Sequence, residues 1–183
     1  MLARLLLPYL LPILLLAAAA VRAEPWALVD TSVQTLTVYS TSGVPLLTVD
    51  HVAIGSGGVS DVHYRGDNTT PRGDYRIRAI RKSHRFVTFY ELDYPKTAQA
   101  EQAFRDGRLS GKARDLIAMQ NDAGVRAAQR TVLGGWIGIH GVGKGNMDIH
   151  RTYNWTDGCV ALDNDALAAF GEWADVGMRV EIR

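Results

Sequence analysis

Cysteine occurs once in the 183 residues, at position 159. A thiol attacks as its thiolate, and a free cysteine titrates near ~8.5, so a reactive cysteine needs a base or a positive field beside it. His140, at the end of a β-prone run, is the candidate base. An imidazole within hydrogen-bond reach either accepts the thiol proton or holds a thiolate–imidazolium pair, and both serve nucleophilic acyl transfer. With such a pair, Cys159 is expected to react with thiol reagents faster than free cysteine at neutral pH. Gly158 lacks a Cβ, which permits a tight turn and lets a substrate carbonyl approach; the N–H groups of Gly158 and Cys159 are then candidate donors to a developing oxyanion. The carbonyl of Gly141, directly after His140, is the candidate partner for the second imidazole nitrogen.

Blander readings stand beside this one. A lone cysteine is more often a buried apolar filler than a nucleophile, and only the neighbouring Gly158 and upstream His140 argue otherwise. A zinc site from His140, His150 and Cys159 has no compact ligand pair to support it, so no metal and no cofactor is expected. His150 reads as an ordinary loop residue. Lys144 and Arg151 lie between the two catalytic candidates and are candidate ligands for a substrate carboxylate, with Asp157 beside the nucleophile; solvated loop charge is their alternative.

These side chains must be held by a scaffold. Thr35-Leu36-Thr37-Val38-Tyr39 alternates with the period of a half-buried strand and pairs as a hairpin with Leu46 to Ile54 across Thr41-Ser42-Gly43. The polar, glycine-rich stretch from Gly55 to Gly73 reads as a surface loop. Tyr75-Ile77-Ala79 and Phe86 to Tyr90 are β-prone again. Thr97 is a cap for a helix through Phe104, and Ser110 for a second helix stopping near Gly124. The β pattern returns at Trp136 to His140 and is followed by a glycine-rich loop. Asn164 is the expected cap of a helix to Ala174, with Leu167, Phe170 and Ala174 on one face, and Val180 and Ile182 end the chain as a strand.

The amino terminus reads as an export signal over residues 1–23: Arg4, an apolar run from Leu5 to Ala20, and Val21-Arg22-Ala23 as the cleavage site. Retention as an anchor is the alternative. Residues 24–183 then form one domain, with 18 Lys+Arg against 19 Asp+Glu after Arg4 and Arg22 are lost with the signal. No clustered basic run exists, so nucleic acid is not an expected partner.

Ile139-His140-Gly141, the glycine-rich spacer and Thr156-Asp157-Gly158-Cys159-Val160-Ala161-Leu162-Asp163-Asn164 resemble the catalytic motif of the L,D-transpeptidase (YkuD-like) family. Thr70-Pro71-Arg72-Gly73 resembles that family's strand entry, and Gln34 to Val38 its first strand. The resemblance implies a mainly β fold with peripheral helices (α+β content): a curled mixed β-sheet, sandwich or barrel, with helices near 97–123 and 164–174. It implies a periplasmic or cell-envelope enzyme acting on peptidoglycan stem peptides. Cys159 would attack the L-centre carbonyl of meso-diaminopimelate, release D-alanine and leave a thioester. Many members carry histidine where this chain has Asp157 and arginine where it has Ala161, so the substrate-shaping side of the site differs. Transfer to an amine is the expected outcome; hydrolysis as an L,D-carboxypeptidase, or peptidoglycan binding without turnover, are the alternatives.

Overall fold

The computed structural model describes residues 24–183; the export signal expected over 1–23 lies outside them. The element order is β1 (Trp26–Asp30), β2 (Thr35–Tyr39), β3 (Pro45–Val49), β4 (Val59–Ser60), β5 (Thr70–Pro71), β6 (Gly73–Ser83), β7 (Val87–Leu92), α1 (Thr97–Arg105), α2 (Gly111–Asp122), β8 (Gly138–Gly141), α3 (Met147–Thr152), β9 (Val160–Leu162), α4 (Asn164–Gly171) and β10 (Arg179–Ile182). Eight strands form one mixed sheet in the order β3-β2-β1-β10-β6-β7-β8-β9, and β4 pairs with β5 alone.

Alternation in the strands builds the core. Leu36 and Val38 of β2 join Ala27 and Val29 of β1, Tyr75 and Ile77 of β6, and Val180 and Ile182 of β10, all nearly inaccessible to solvent. At the other end, Tyr90, Ile139 and Val160 point to the side that α4 covers with Leu167 and Phe170. Each such side chain contributes roughly 1.5–3 kcal/mol on full burial. The residues between them, on β7, β8 and β9, face the opposite way and are free to build a site.

The sheet curls because the chain leaving β3 crosses to the far edge. Ala53 pairs with Ala161 of β9 through hydrogen bonds of 3.0 and 2.7 Å, and Ser56 N–H donates to the Thr156 carbonyl at 2.9 Å. The edge strand that carries the cysteine motif is thereby covered rather than left open. This is the curled mixed sheet with peripheral helices expected from the sequence.

Local details differ from that expectation. The stretch from Gly55 to Gly73 is not simply a surface loop. It contains β4 and β5, and Thr70, with no solvent exposure, accepts the Gly55 N–H at 2.8 Å. A buried hydroxyl satisfying a buried amide gives no periodic signal. The cap of α1 is Lys96, whose N–H is taken by Gln99, and the cap of α4 is Asp163, which accepts the Ala166 N–H. Thr97 and Asn164 are instead the first helical residues. Helix α4 stops at Gly171 rather than Ala174. Helix α3, six residues long, lies in what the glycine content suggested was loop; Asn146 caps it.

Candidate active site

Strand register puts the two reactive side chains on one face. Strands β8 and β9 run parallel, with Ile139 opposite Val160 and His140 opposite Ala161, so Cys159 stands two residues before His140's partner. Side chains two apart share a face of the sheet. Both residues line a cleft of about 610 Å³, together with Phe86, Phe89, Trp136 and Trp155.

His140 is almost fully buried, at 2% exposure. Aromatic rings surround it: Phe86 at 4.1 Å between centroids, Phe89 at 6.1 Å and Trp155 at 5.8 Å. Burial is the main cause that lowers its pKa below the ordinary 6.5, reinforced by Arg85 and His150, while the Gly141 carbonyl opposes it. At neutral pH the imidazole is therefore uncharged. Its Nδ1 lies 2.9 Å from the Gly141 carbonyl oxygen, which only accepts, so Nδ1 carries the proton and Nε2 keeps its lone pair. That is the tautomer a general base requires.

The sulfur is held in an equally neutral state. By surface area Cys159 is only partly buried, yet its sulfur is packed closely, and burial pushes the thiol up to about 12. Asp157 adds to the rise, whereas the Gly138 N–H favours the thiolate. The thiol donates to the Trp136 carbonyl at 3.4 Å. Burial of both groups thus favours a thiol and a neutral imidazole over a preformed ion pair, which argues against alkylation faster than that of free cysteine.

The turn before Cys159 is tied on every side. Thr156 Oγ1 donates to the Cys159 carbonyl at 2.6 Å and accepts the Gly158 N–H at 3.2 Å. Gly158 has φ +127°, and a Cβ there would meet the Thr69 carbonyl at 2.8 Å, Ile137 at 3.0 Å and His63 at 3.3 Å. Its bare side faces packed protein, so the glycine serves the turn and not the approach of a substrate. The Gly158 N–H is also spoken for. The Cys159 N–H, by contrast, makes no turn or loop hydrogen bond among the described residues and is the donor left for an oxyanion. On the histidine side, Asn164 accepts the Gly143 N–H and donates to the Gly143 carbonyl, both at 2.8 Å, clamping the loop after His140 to the start of α4.

Of the candidate substrate ligands, Asp157 lines the cleft. Lys144 does not: it borders a neighbouring hollow beyond Phe86 and Trp155. Arg151 faces a crevice with Gln34 and Asn154. Arg151 lies on α3 and Lys144 in the turn before it, beside a hollow that shares Arg85, Phe86 and Trp155 with the cleft, and the cations that do line the cleft are Arg81, Lys82 and Arg85, brought there by the hairpin of β6 and β7. Sequence reasoning missed them, and missed the aromatic cage, because nothing in the local sequence of β6 or β7 shows which strand they will adjoin. His150 is buried and accepts a hydrogen bond from Trp155 Nε1 at 3.3 Å, so it props a cleft wall.

No curated protein matches the chain significantly. Among solved structures, similar chains include the helical cell shape determining protein Pgp2 of Campylobacter jejuni (20% identity, TM-score 0.57, covering 87% of this chain and 47% of that one). Bd1075 of Bdellovibrio bacteriovorus is similar at 16% identity and TM-score 0.57, covering 88% and 48%. An L,D-transpeptidase of Xylanimonas cellulosilytica is similar at 17% identity and TM-score 0.50, covering 88% and 61%. The chain spans about half to three fifths of the length of these proteins, and at such identities the likeness is one of fold. The model of the L,D-transpeptidase catalytic domain (YkuD) matches residues 24–182, nearly all of the described chain. By that match the chain belongs to the L,D-transpeptidase catalytic domain family.

Proposed function

We propose that this protein is an exported peptidoglycan-modifying cysteine acyl transferase that cleaves the L,D-peptide bond between meso-diaminopimelate and D-alanine in stem peptides. Family membership supports the substrate class, and a substrate in the cell envelope agrees with reading residues 1–23 as an export signal. No helix among the described residues is long and apolar enough to cross a membrane. The observation that carries this reading is that His140, on β8, and Cys159, immediately before the adjacent parallel strand β9, line the same cleft, with His140 Nδ1 held by Gly141.

The chemistry runs from a neutral pair. As Sγ of Cys159 attacks the L-centre carbonyl carbon, its proton passes to Nε2 of His140, and the carbonyl oxygen becomes an oxyanion facing the Cys159 N–H. Collapse breaks the C–N bond; the imidazolium gives its proton to the departing amine of D-alanine, leaving a thioester. An amine or water then attacks the thioester, loses its proton to His140, and the sulfur leaves and is reprotonated. Aromatic rings pack around the imidazole and shield it from solvent, and transfer to an amine is the outcome proposed.

The test is to supply a disaccharide tetrapeptide with excess D-amino acid and weigh the products. Exchange of the terminal D-alanine is the expected result. Accumulating tripeptide without exchanged or cross-linked product would make the protein an L,D-carboxypeptidase, and intact donor would leave only a binding module.

A further inference from the structure

The charge of the cleft is concentrated on one wall. Arg81, Lys82 and Arg85 line it, against Asp157 as the one carboxylate among the lining side chains. Arg81 is distinguished from the other two cations by its support. In the sheet it lies opposite Phe89, and Phe89 lies opposite His140, so all three rise from the same face. Two strand spacings, roughly 10 Å, separate Arg81 from the imidazole. One step along the same face, Glu91 lies opposite Gly138, in the row that leads to Cys159.

Glu91 is a carboxylate with 1% exposure and two arginines on it. Arg126 grips it with both arms, Nε to Oε1 at 2.6 Å and Nη2 to Oε2 at 2.8 Å. Arg81 forms an ion pair with the same group. A single carboxylate cannot neutralise two guanidinium ions, so the cluster keeps a surplus positive charge. Arg126 lies outside the cleft, and Arg81 is the member that reaches into it. A guanidinium fixed on a buried carboxylate, with 42% of its side chain still open, is poised for bidentate recognition of a second carboxylate.

We infer that Arg81, propped by Glu91, is the residue that recognises a carboxylate of the acyl donor and orients the scissile bond toward Cys159. The inference rests on the proposed function and names its specificity determinant. It moves the recognition role from Lys144 and Arg151, which face other hollows, to a strand whose register puts it beside the chemistry. Flanking the scissile bond, a stem tetrapeptide offers such a carboxylate on the departing D-alanine and another on the side chain of meso-diaminopimelate, and the inference concerns these two. Both carry the same chemistry.

Three donors separate the sources: the free tetrapeptide, its C-terminal amide, and the tetrapeptide amidated on the diaminopimelate side chain. Turnover of each is followed by product mass for the wild type, Arg81→Gln, Arg81→Lys and Lys82→Gln, and binding of each is measured by calorimetry in the Cys159→Ala background. The wild type should prefer the free acid over one of the amides by about tenfold or more, as a charge-assisted bond predicts. Arg81→Gln should lose that preference by falling on the free acid alone, Arg81→Lys should restore part of it, and Lys82→Gln should keep it. The amide that is discriminated against identifies the carboxylate. Because the preference is a ratio within one protein, partial unfolding of a variant cancels. Equal use of all donors by the wild type, or an undiminished preference in Arg81→Gln, would overturn the inference while leaving the enzyme reading intact. Arg81-dependent binding without turnover would uphold it and sink the enzyme reading, and failure of every donor to bind or react would remove both.

Discussion

The cleft has two walls of opposite construction. The wall formed by β8, β9 and the turn at Gly158 is buried and tied by hydrogen bonds: Thr156 to Cys159 and Gly158, His140 to Gly141, Asn164 to Gly143. The wall formed by the β6–β7 hairpin is exposed and charged, carrying Arg81, Lys82 and Arg85, with Arg85 stacked on the Phe86 ring at 4.8 Å. A thiol and an imidazole transfer a proton only if their distance and tautomer are fixed, so that side tolerates little change. On the hairpin Arg81 is held by Glu91, whereas Lys82 is exposed and little in the fold depends on it. Under the proposed function the first wall serves the chemistry and the second, through Arg81, the recognition of substrate, and substitutions should sort accordingly.

The largest effects belong to the buried wall. Removing the nucleophile (Cys159→Ala) should abolish turnover, and His140→Ala should cost on the order of 10²–10⁴-fold in kcat, with product mass as the readout. Neither should greatly change donor affinity. Tenfold loss of donor binding in Cys159→Ala would show that the two walls are not separable.

Gly158→Ala comes next. The new Cβ meets the Thr69 carbonyl at 2.8 Å in a left-handed conformation, which costs roughly 1–3 kcal/mol of stability if the turn is kept. If it relaxes, the Cys159 N–H swings away and kcat falls on the order of 10²-fold. Thermal unfolding and kcat together report which happens, and wild-type values for both would refute the tied turn.

The neutral pair makes two checks available through pH. Since burial holds the thiol up near 12, a small neutral alkylating reagent should modify Cys159 at least about tenfold more slowly than free cysteine at neutral pH. Faster modification would mean a resting ion pair. The depressed pKa of His140 sets the acid limb. Its neutral form is required, so kcat/KM should hold at neutral pH and fall only below the ordinary imidazole value of 6.5. The same group contributes stability above that unfolded value, lost as pH falls from it through the folded one, because only the unfolded chain protonates freely.

Smaller effects should mark the periphery. Asn164→Ala removes both bonds to Gly143 and should cost about 1–2 kcal/mol in unfolding free energy, with a kcat loss of a few fold. Lys144→Ala and Arg151→Ala, facing other hollows, should change kcat/KM less than about twofold, as solvated surface charges do. A tenfold loss for either would return substrate binding to the loop of α3.

The same contrast explains what the sequence disclosed. Cys159, Gly158, His140 and Gly141 are close in the chain or carried by adjacent strands, so their lying in one region of the fold is legible from residue types and spacing. The strand alternation at Leu36 and Val38 and the helices after Thr97 and Ser110 were legible for the same local reason. Arg81, Phe89 and Trp155 reach the site only through sheet order and loop packing, which no local pattern encodes. Thr70 looked like loop because its buried hydroxyl answers an amide far away in the chain. The Gly158 N–H reads from the sequence as a candidate oxyanion donor, and in the fold it donates to Thr156 Oγ1.

The most direct test of the central claim is the mass of the protein itself during turnover. Protein mixed with disaccharide tetrapeptide and quenched in acid should carry the donor minus D-alanine, mapped by peptide mass to Cys159 and released by thioester-cleaving hydroxylamine. His140→Ala should show no such adduct on the same timescale. Turnover with no acylated Cys159 at any time, or an adduct that forms as fast without His140, would contradict the account.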